Sequence, residues 1–161
     1  MENFLKNKKI ILGITGSIAA YKIYELIRLL KDAGAEILPV MTQKASYFVT
    51  PLSIEISCSN RVLIDMFEEP FSHIELAKKG DIFLIAPATA NLINKYASGI
   101  ADDLLTTTLL AFRGPVIIAP AMNWRMYQSA QVQKSIEYLK SLGVKFVGPQ
   151  EGLLACGEEG T

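Results

Sequence analysis

Short apolar runs alternate with stretches of helical periodicity along this chain, and that alternation limits the fold more than any other feature. Six runs predict strands, at residues 9–15, 36–42, 61–67, 81–87, 115–121 and 144–148. The runs are continuously apolar, which is typical of parallel strands covered on both faces. With helices between strands and right-handed crossovers, the pattern predicts a doubly wound, Rossmann-like α/β domain with a parallel sheet of about six strands.

Two helices have the clearest periodicity. In residues 17–34 an apolar stripe is bounded by Ser17, a candidate N-cap, and by Gly34, which is placed to end the helix. Residues 124–142 repeat this pattern and stop at Gly143. The two predicted apolar sets are Ile23, Leu26, Ile27 and Leu30 in the first helix, and Met126, Val132, Ile136 and Leu139 in the second.

Pro39 interrupts the second predicted strand. Proline has no N–H to donate to a ladder, so either this strand lies at an edge or its pairing is broken there.

Length and charge exclude several classes of protein. The 161 residues predict one domain, residues 1–161, and 16 basic against 16 acidic residues give no net field toward nucleic acid or an anionic membrane. No apolar run approaches the roughly 20 residues of a membrane-spanning helix, and a cytoplasmic protein is expected. Two cysteines without CxxC spacing and a single histidine predict neither a structural metal nor a disulfide.

Polar residues follow several of the predicted strands. In an open α/β sheet, ligands bind beyond the carboxyl ends of the strands, so these residues are the candidate site. They are Gly16 and Ser17, Thr42, the segment Ala88, Thr89, Ala90 and Asn91, then Met122 and Asn123, and finally the loop that carries Cys156. His73 joins them because the third predicted strand runs toward this edge and a helix beginning near residue 72 runs back.

These residues alone do not identify the ligand. Ser17 and Thr42 are explained equally by helix capping, since caps and phosphate ligands use the same exposed N–H groups. The turn after strand one is not GxGxxG, and Thr42 stands where NAD-binding folds place an acidic residue, which disfavours a dinucleotide. A monophosphate on Gly16, Ser17 and Thr42, with a flat ring over Phe48, would fit a cofactor the size of FMN.

Five motifs in register resemble the phosphopantothenoylcysteine decarboxylases, flavodoxin-like flavoproteins of the flavin-containing cysteine decarboxylase family. They are GITGSIAAYK (13–22), SHIELAK (72–78), APATANLINKYASGIADDLLTT (86–107), PAMNWRMY (120–127) and ACGEEG (155–160). The resemblance covers nearly the whole chain and is to the amino-terminal half of bacterial bifunctional coenzyme A biosynthesis proteins. It implies that a carboxy-terminal synthetase domain is absent from this chain.

The resemblance implies an FMN-dependent lyase that converts (R)-4′-phosphopantothenoylcysteine to 4′-phosphopantetheine. In that chemistry flavin oxidises the cysteine thiol to a thioaldehyde, carbon dioxide leaves, and the enethiolate is reduced. The family forms homotrimers with flavin at subunit contacts, and four trimers build a dodecamer in the bacterial fusions. The implied partners are therefore the small-molecule substrate, further copies of the chain and, at full length, the synthetase domain.

The resemblance also implies roles for individual residues. His73 matches the histidine that assists thiol oxidation and decarboxylation, Asn123 the asparagine that binds the substrate carboxylate, and Cys156 the thiol that protonates the enethiolate. Met126 matches a neighbour of the substrate. The residues that match flavin contacts are Gly16, Ser17, Ile18, Thr42, Phe48, Ala88, Thr89, Ala90 and Asn91.

Two alternatives share this fold. A peptidyl-cysteine decarboxylase has the same histidine and asparagine motifs but acts on a peptide carboxyl terminus. A catalytically silent, FMN-binding regulatory relative would have lost catalytic residues, whereas His73, Asn123 and Cys156 are all present.

Overall fold

The computed structural model describes residues 3–149 and the backbone of residues 152–153 and 159–160. Within this part, the strands of the main sheet are β1 Lys9–Ile14, β2 Glu36–Met41, β3 Ile82–Ala88, β4 Val116–Pro120 and β5 Lys145–Phe146. The helices are α1 Ile23–Asp32, α2 Pro51–Cys58, α3 Ser72–Lys79, α4 Ala90–Ala97, α5 Leu104–Ala111, α6 Trp124–Tyr127 and α7 Ala130–Ser141. Two 3₁₀ helices, Ile18–Lys22 and Gln43–Tyr47, follow β1 and β2, and β6 Gly152–Leu153 pairs antiparallel with β7 Glu159–Gly160.

The main sheet is fully parallel, with strand order β2-β1-β3-β4-β5. This is the flavodoxin-like order of a doubly wound α/β fold, as predicted. After β1 the chain first forms β2, which pairs on one side of β1. It later forms β3, which pairs on the other side of β1. The crevice between the loops after β1 and β3 is therefore the topological switch point, where such sheets bind ligands.

Alternate residues of the central strands enter two separate cores. Leu12 and Ile14 of β1 face a core shared with α1 and α2, whereas Ile11 faces a core shared with α3, α4, α5 and α7. Phe83 and Ile85 of β3 face the same side as Ile11. Both faces of the sheet are thus buried, which is why its strands read as continuous apolar runs.

The predicted strand at residues 61–67 is wrong, and the main sheet has five strands in the described residues. Leu63 makes one isolated parallel bridge to Val40, donating to Pro39 O at 3.3 Å and accepting from Met41 N at 3.0 Å. Extension toward Arg61 would need an N–H on Pro39, and the carbonyl of Ile37 is already bound by Asn60 Nδ2 at 2.7 Å. The apolar run could not reveal these constraints.

Pro39 is tolerated because its nitrogen faces away from β1. Glu36 N donates to Lys8 O and Thr42 N to Ile14 O, so the even-numbered N–H groups point toward β1 and the odd-numbered ones point to the outer edge. Of the two explanations open from the sequence, the edge position is confirmed.

Both predicted helices exist but are interrupted. The first is a 3₁₀ helix followed by α1, which ends at Asp32, two residues before Gly34 with its φ of 96°. The second divides at Ser129, which caps α7 by accepting from Val132 N at 3.3 Å. Met126 falls in the separate α6 and is 51% exposed, so it does not belong to the buried set of α7.

Phe83→Ala should destabilise the fold strongly. Phe83 is fully buried and packs edge-to-face on Phe112, with ring centroids 5.6 Å apart. Its truncation leaves a cavity beside the central strand and should lower the free energy of unfolding by about 3–5 kcal/mol. Urea unfolding measures this, with Phe4→Ala at an exposed phenylalanine as the matched control. Equal losses in both variants would contradict the packing described.

Candidate functional site

A cavity of about 650 Å³ opens at the carboxyl ends of β1, β2, β3 and β4, a volume typical of sites for small molecules and cofactors. Its lining combines hydroxyls, two lysines, three carboxylates and apolar side chains. The lining residues are Thr15, Gly16, Ser17, Thr42, Gln43, Lys44, Ile64, Asp65, Met66, Phe67, Thr89, Ala90, Asn91, Leu92, Lys95, Asp102, Asp103, Leu104, Thr106, Ala121, Met122 and Met126.

Three turns at the cavity are capped by hydroxyl side chains. Ser17 accepts from Ala19 N at 3.3 Å, Thr42 from Ala45 N at 3.2 Å, and Thr89 from Leu92 N at 3.2 Å. The predicted capping is confirmed. Because each oxygen acts as the acceptor in its cap, its own hydrogen can still be donated to an anion in the cavity.

Position 16 has no room for a side chain, so it requires glycine. A Cβ at this position would lie 2.8 Å from Lys44 Cβ and 3.1 Å from the Lys44 carbonyl carbon. The turn after β1 therefore packs directly on the 3₁₀ helix after β2. This contact brings the capped turns of Ser17 and Thr42 together and holds Lys44 beside them.

Thr15 ties the first turn to the third. Its buried Oγ1 donates to Pro87 O at 2.6 Å and accepts from Thr89 N at 3.0 Å. Its backbone N–H also donates to Pro87 O, at 3.3 Å. The loops after β1 and β3 thus meet through one side chain.

Two of the cavity carboxylates are held by neighbouring groups. Lys95 Nζ lies 2.7 Å from Asp102 Oδ2, and this hydrogen bond is the main cause of a lowered pKa at Asp102. Asp103 begins α5 in a capping box, accepting from Thr106 N at 2.8 Å while Thr106 Oγ1 accepts from Asp103 N at 3.1 Å. The loop that carries both aspartates is therefore fixed against α4 and α5.

The structure brings eight of the sequence-predicted site residues together. The cavity is lined by Gly16, Ser17, Thr42, Thr89, Ala90, Asn91, Met122 and Met126. Ala88 lies fully buried in the sheet below it, while Ile18 and Phe48 are exposed beside the first two turns and outside the lining. Cys156 lies outside the described residues.

His73 stands at the start of α3 and is not part of the cavity lining. Phe71, in the left-handed region at φ 60°, precedes the helix, and its carbonyl accepts from Ile74 N and Glu75 N. In the described part of the chain, His73 Nδ1 and Ser72 Oγ are buried without a hydrogen-bond partner. Buried polar atoms are normally hydrogen-bonded, so these two atoms are exceptions at this helix start.

Asn123 is positioned by α6, where its side-chain oxygen accepts from Arg125 N at 2.8 Å. It follows Met122, a lining residue at the end of β4. Asn123 itself lies next to the lining.

Cys58 is a structural thiol in the core that includes α1 and α2. Burial raises its pKa to about 11, so the thiol stays protonated near neutral pH.

Several lining residues received no role from the sequence. Thr15 lies inside the first motif as the last residue of a predicted strand, and that position was a readable signal. The D-x-x-T spacing of Asp103 and Thr106 was a readable capping signal as well. Asp65, Met66 and Phe67 were assigned to a strand that does not form, so their approach to the cavity could not be foreseen.

Within the described residues, no cluster of three or more His, Cys, Asp or Glu side chains could hold a metal ion. Across the same part of the chain, every helix is too short or too polar to span a membrane.

Comparison with protein families matches residues 2–161 to the model of the family described as Flavoprotein. The coenzyme A biosynthesis bifunctional protein CoaBC of Vibrio vulnificus (strain YJ016) is 47% identical over 161 residues, which cover 97% of this chain and 40% of that protein. The chain thus spans about two fifths of the length of this curated relative.

Solved structures have the same fold over nearly all of both chains. The FMN-dependent cysteine decarboxylase SpaF superposes with a TM-score of 0.89 at 33% identity, covering 98% of this chain and 91% of that one. A PPC decarboxylase mutant complexed with pantothenoylaminoethenethiol superposes with a TM-score of 0.83 at 29% identity, covering 96% and 89%.

The link between Lys95 and Asp102 predicts a pH dependence. Since the folded-state pKa of Asp102 is lowered, the pair contributes stability that is fully present above the ordinary value of 3.8 and is lost as the pH falls through the lowered pKa. Carboxyl carbon NMR should give a midpoint for Asp102 below 3.8, and Lys95→Met should raise it.

Lys31→Met, which removes a lysine on α1 that bonds Ser57 O and Ser59 Oγ, is the control. It should leave the Asp102 titration unchanged. An Asp102 midpoint insensitive to Lys95→Met would contradict the assigned cause.

Proposed function

The chain belongs to the flavoprotein family, and from that premise we propose that it binds FMN and decarboxylates (R)-4′-phosphopantothenoylcysteine to 4′-phosphopantetheine in coenzyme A biosynthesis. The bifunctional coenzyme A relative and the PPC decarboxylase support the substrate. The structural observation that carries the proposal is the meeting of three hydroxyl-capped turns at the switch-point cavity.

The donor set of the cavity fits a phosphate monoester. The hydroxyls of Ser17 and Thr42 and the backbone of Gly16 would hold the phosphate of FMN, with the charge of Lys44 beside them. Thr89, Ala90 and Asn91 would form a further wall, with Ala88 supporting that loop from the sheet. Ile18 and Phe48 would contact the cofactor from the outer side. Bound flavin supplies reversible two-electron chemistry.

Thr42→Val should separate phosphate binding from capping. The control is Thr50→Val, because Thr50 makes the same cap on α2, accepting from Ser53 N at 3.2 Å, but does not line the cavity. Both variants should lose comparable stability, about 1 kcal/mol. Only Thr42→Val should weaken FMN binding, by about tenfold for one lost charge-assisted hydrogen bond. Equal FMN affinity in the two variants would show that Thr42 acts only as a helix cap.

Substrate positioning is assigned to Asn123 and Met126. The neutral amide of Asn123 can orient the carboxylate by hydrogen bonding without strongly stabilising the negative charge that must be lost. In the overall reaction the bond to the carboxyl carbon breaks, carbon dioxide leaves, and a proton takes its place, with no net redox change. Cys156 is assigned as the donor of a proton to the enethiolate, since a thiol with an ordinary pKa is mostly protonated at neutral pH.

His73 is proposed to act on substrate held at a cavity of another copy of the chain. Its ring lies outside the cavity lining of its own protomer, and its Nδ1 is buried without a partner in the described residues. Large apolar side chains are exposed nearby in sequence, including Phe67, which also lines the cavity, and Phe71. Exposed apolar groups of this size favour a protein contact. A homotrimer, further assembled as a dodecamer, would place these residues at shared sites.

His73→Asn should leave FMN bound and stop carbon dioxide release. The variant removes the imidazole proposed to take part in proton transfer while leaving Ser17 and Thr42 untouched. The control is Glu75→Gln, an exposed position in the first turn of the same helix. Release of carbon dioxide is measured together with bound flavin, and normal turnover by His73→Asn would remove this residue from the mechanism.

A peptide substrate is the second candidate, favoured by the similarity to the solved structure of the peptidyl-cysteine decarboxylase EpiD. Competition between phosphopantothenoylcysteine and a peptide ending in cysteine distinguishes the two. We also propose a cytoplasmic location, in keeping with a role in coenzyme A biosynthesis. The division into one domain at residues 1–161, with the synthetase elsewhere, stays a prediction.

The proposal is tested by recording the visible spectrum of the purified chain without oxygen, before and after phosphopantothenoylcysteine is added. We expect a flavin spectrum that bleaches and recovers as 4′-phosphopantetheine forms. Bound flavin that never responds would exclude this substrate and favour the peptide or the catalytically silent regulatory alternative. A protein that cannot be reconstituted with FMN would overturn the proposal.

A further inference from the structure

We infer that Thr15 is a positioning residue for the cofactor, because its hydroxyl sets the spacing between the two loops that face each other across the crevice. The inference rests on the proposed function, since it concerns the same cavity. Thr15 acts through the loops on either side of it and is not assigned a role in the chemistry.

The loops need this link because the strand pairing ends below them. The regular pairing of β1 with β3 runs from Ile10 opposite Ile82 to Gly13 opposite Ile85. Beyond Gly13, Thr15 donates to Pro87 O and accepts from Thr89 N, and these bonds join the segments that follow the two strands. In the described part of the chain, the hydrogen bonds between these two loops at the cavity are therefore made by Thr15.

Both capped turns depend on Thr15. Its carbonyl accepts from Ser17 N at 2.9 Å, which shapes the turn in which Ser17 is the cap. Its hydroxyl accepts from Thr89 N at 3.0 Å, which places the cap of α4. A change at Thr15 is thus transmitted to two proposed cofactor contacts at once.

The side chain has the properties of a fixed connector. Thr15 is 2% exposed, and its hydroxyl donates once and accepts once within the protein. Valine has nearly the same shape but makes neither hydroxyl bond, so Thr15→Val removes the side-chain link with little change in packing volume and keeps the backbone bond to Pro87 O. Serine keeps the hydroxyl, so Thr15→Ser should rescue the link.

The control is Thr108→Val. Thr108 is also fully buried, and its Oγ1 donates to Leu104 O at 2.7 Å inside α5, away from the cavity lining. Both valine variants lose a buried hydroxyl, so both should lower the thermal midpoint. A purely structural role for Thr15 would make the two variants behave alike in every measurement.

The test measures the FMN dissociation constant of each variant by flavin fluorescence quenching and the hydrogen exchange of the Thr89 amide by NMR. We expect Thr15→Val to raise the dissociation constant about tenfold or more, because displaced ligand groups lose affinity and each lost hydrogen bond is worth up to about a factor of ten. Exchange at Thr89 should accelerate in Thr15→Val and stay near the wild-type rate in Thr108→Val. Thr15→Ser should return both values toward wild type.

Wild-type FMN affinity in Thr15→Val, or the same weakening in Thr108→Val, would overturn the inference while leaving the proposed function intact. A wild-type protein that takes up no FMN would overturn the proposed function and the positioning role together. The hydrogen-exchange comparison then shows whether the loops are still coupled through Thr15.

Discussion

The pairing of β1 with β3 is the constraint on which the rest of the molecule depends. It places two strands that are far apart in sequence side by side, with β2 on one flank and β4 on the other. Because every strand of this sheet runs the same way, the loops after β1 to β4 collect at one edge. The two apolar cores then make the position of these loops rigid, since displacing β1 or β3 would disrupt packing on both faces of the sheet.

At that edge, short side chains connect backbone segments that the sheet no longer holds. Ser17, Thr42 and Thr89 each complete a turn, and Gly16 allows two of the turns to touch. A capping hydroxyl orders its turn by accepting one N–H and keeps its own hydrogen to donate to an anion. The stability of the edge and its capacity to bind an anion therefore have a common physical origin.

Fold class was predictable because it depends on patterns that every strand repeats, whereas single elements depend on contacts between distant residues. The continuous apolar runs predicted a two-faced parallel sheet, and Ser17 and Thr42 were predicted as caps. The run at residues 61–67 failed as a strand because Pro39 lacks an N–H and Asn60 occupies the carbonyl of Ile37, both on neighbouring segments. Likewise, Met126 fitted the periodicity of one predicted helix at residues 124–142. In the structure Ser129 caps a separate helix, α7, so Met126 lies outside it. The motifs identified His73, but its place outside the cavity of its own chain required three-dimensional coordinates.

The charges of the cavity also fit a reaction in which a carboxylate must leave. A lysine that paired with the substrate carboxylate would stabilise the ground state and hinder its loss, because only interactions stronger in the transition state accelerate a reaction. Lys95, a cation in the lining, is instead paired with Asp102. The positive charge of Lys95 is thereby paired with a carboxylate on the fixed loop between α4 and α5. In the proposed reaction, the neutral Asn123, next to the lining, would orient the carboxylate without a counter-charge to hold it in place.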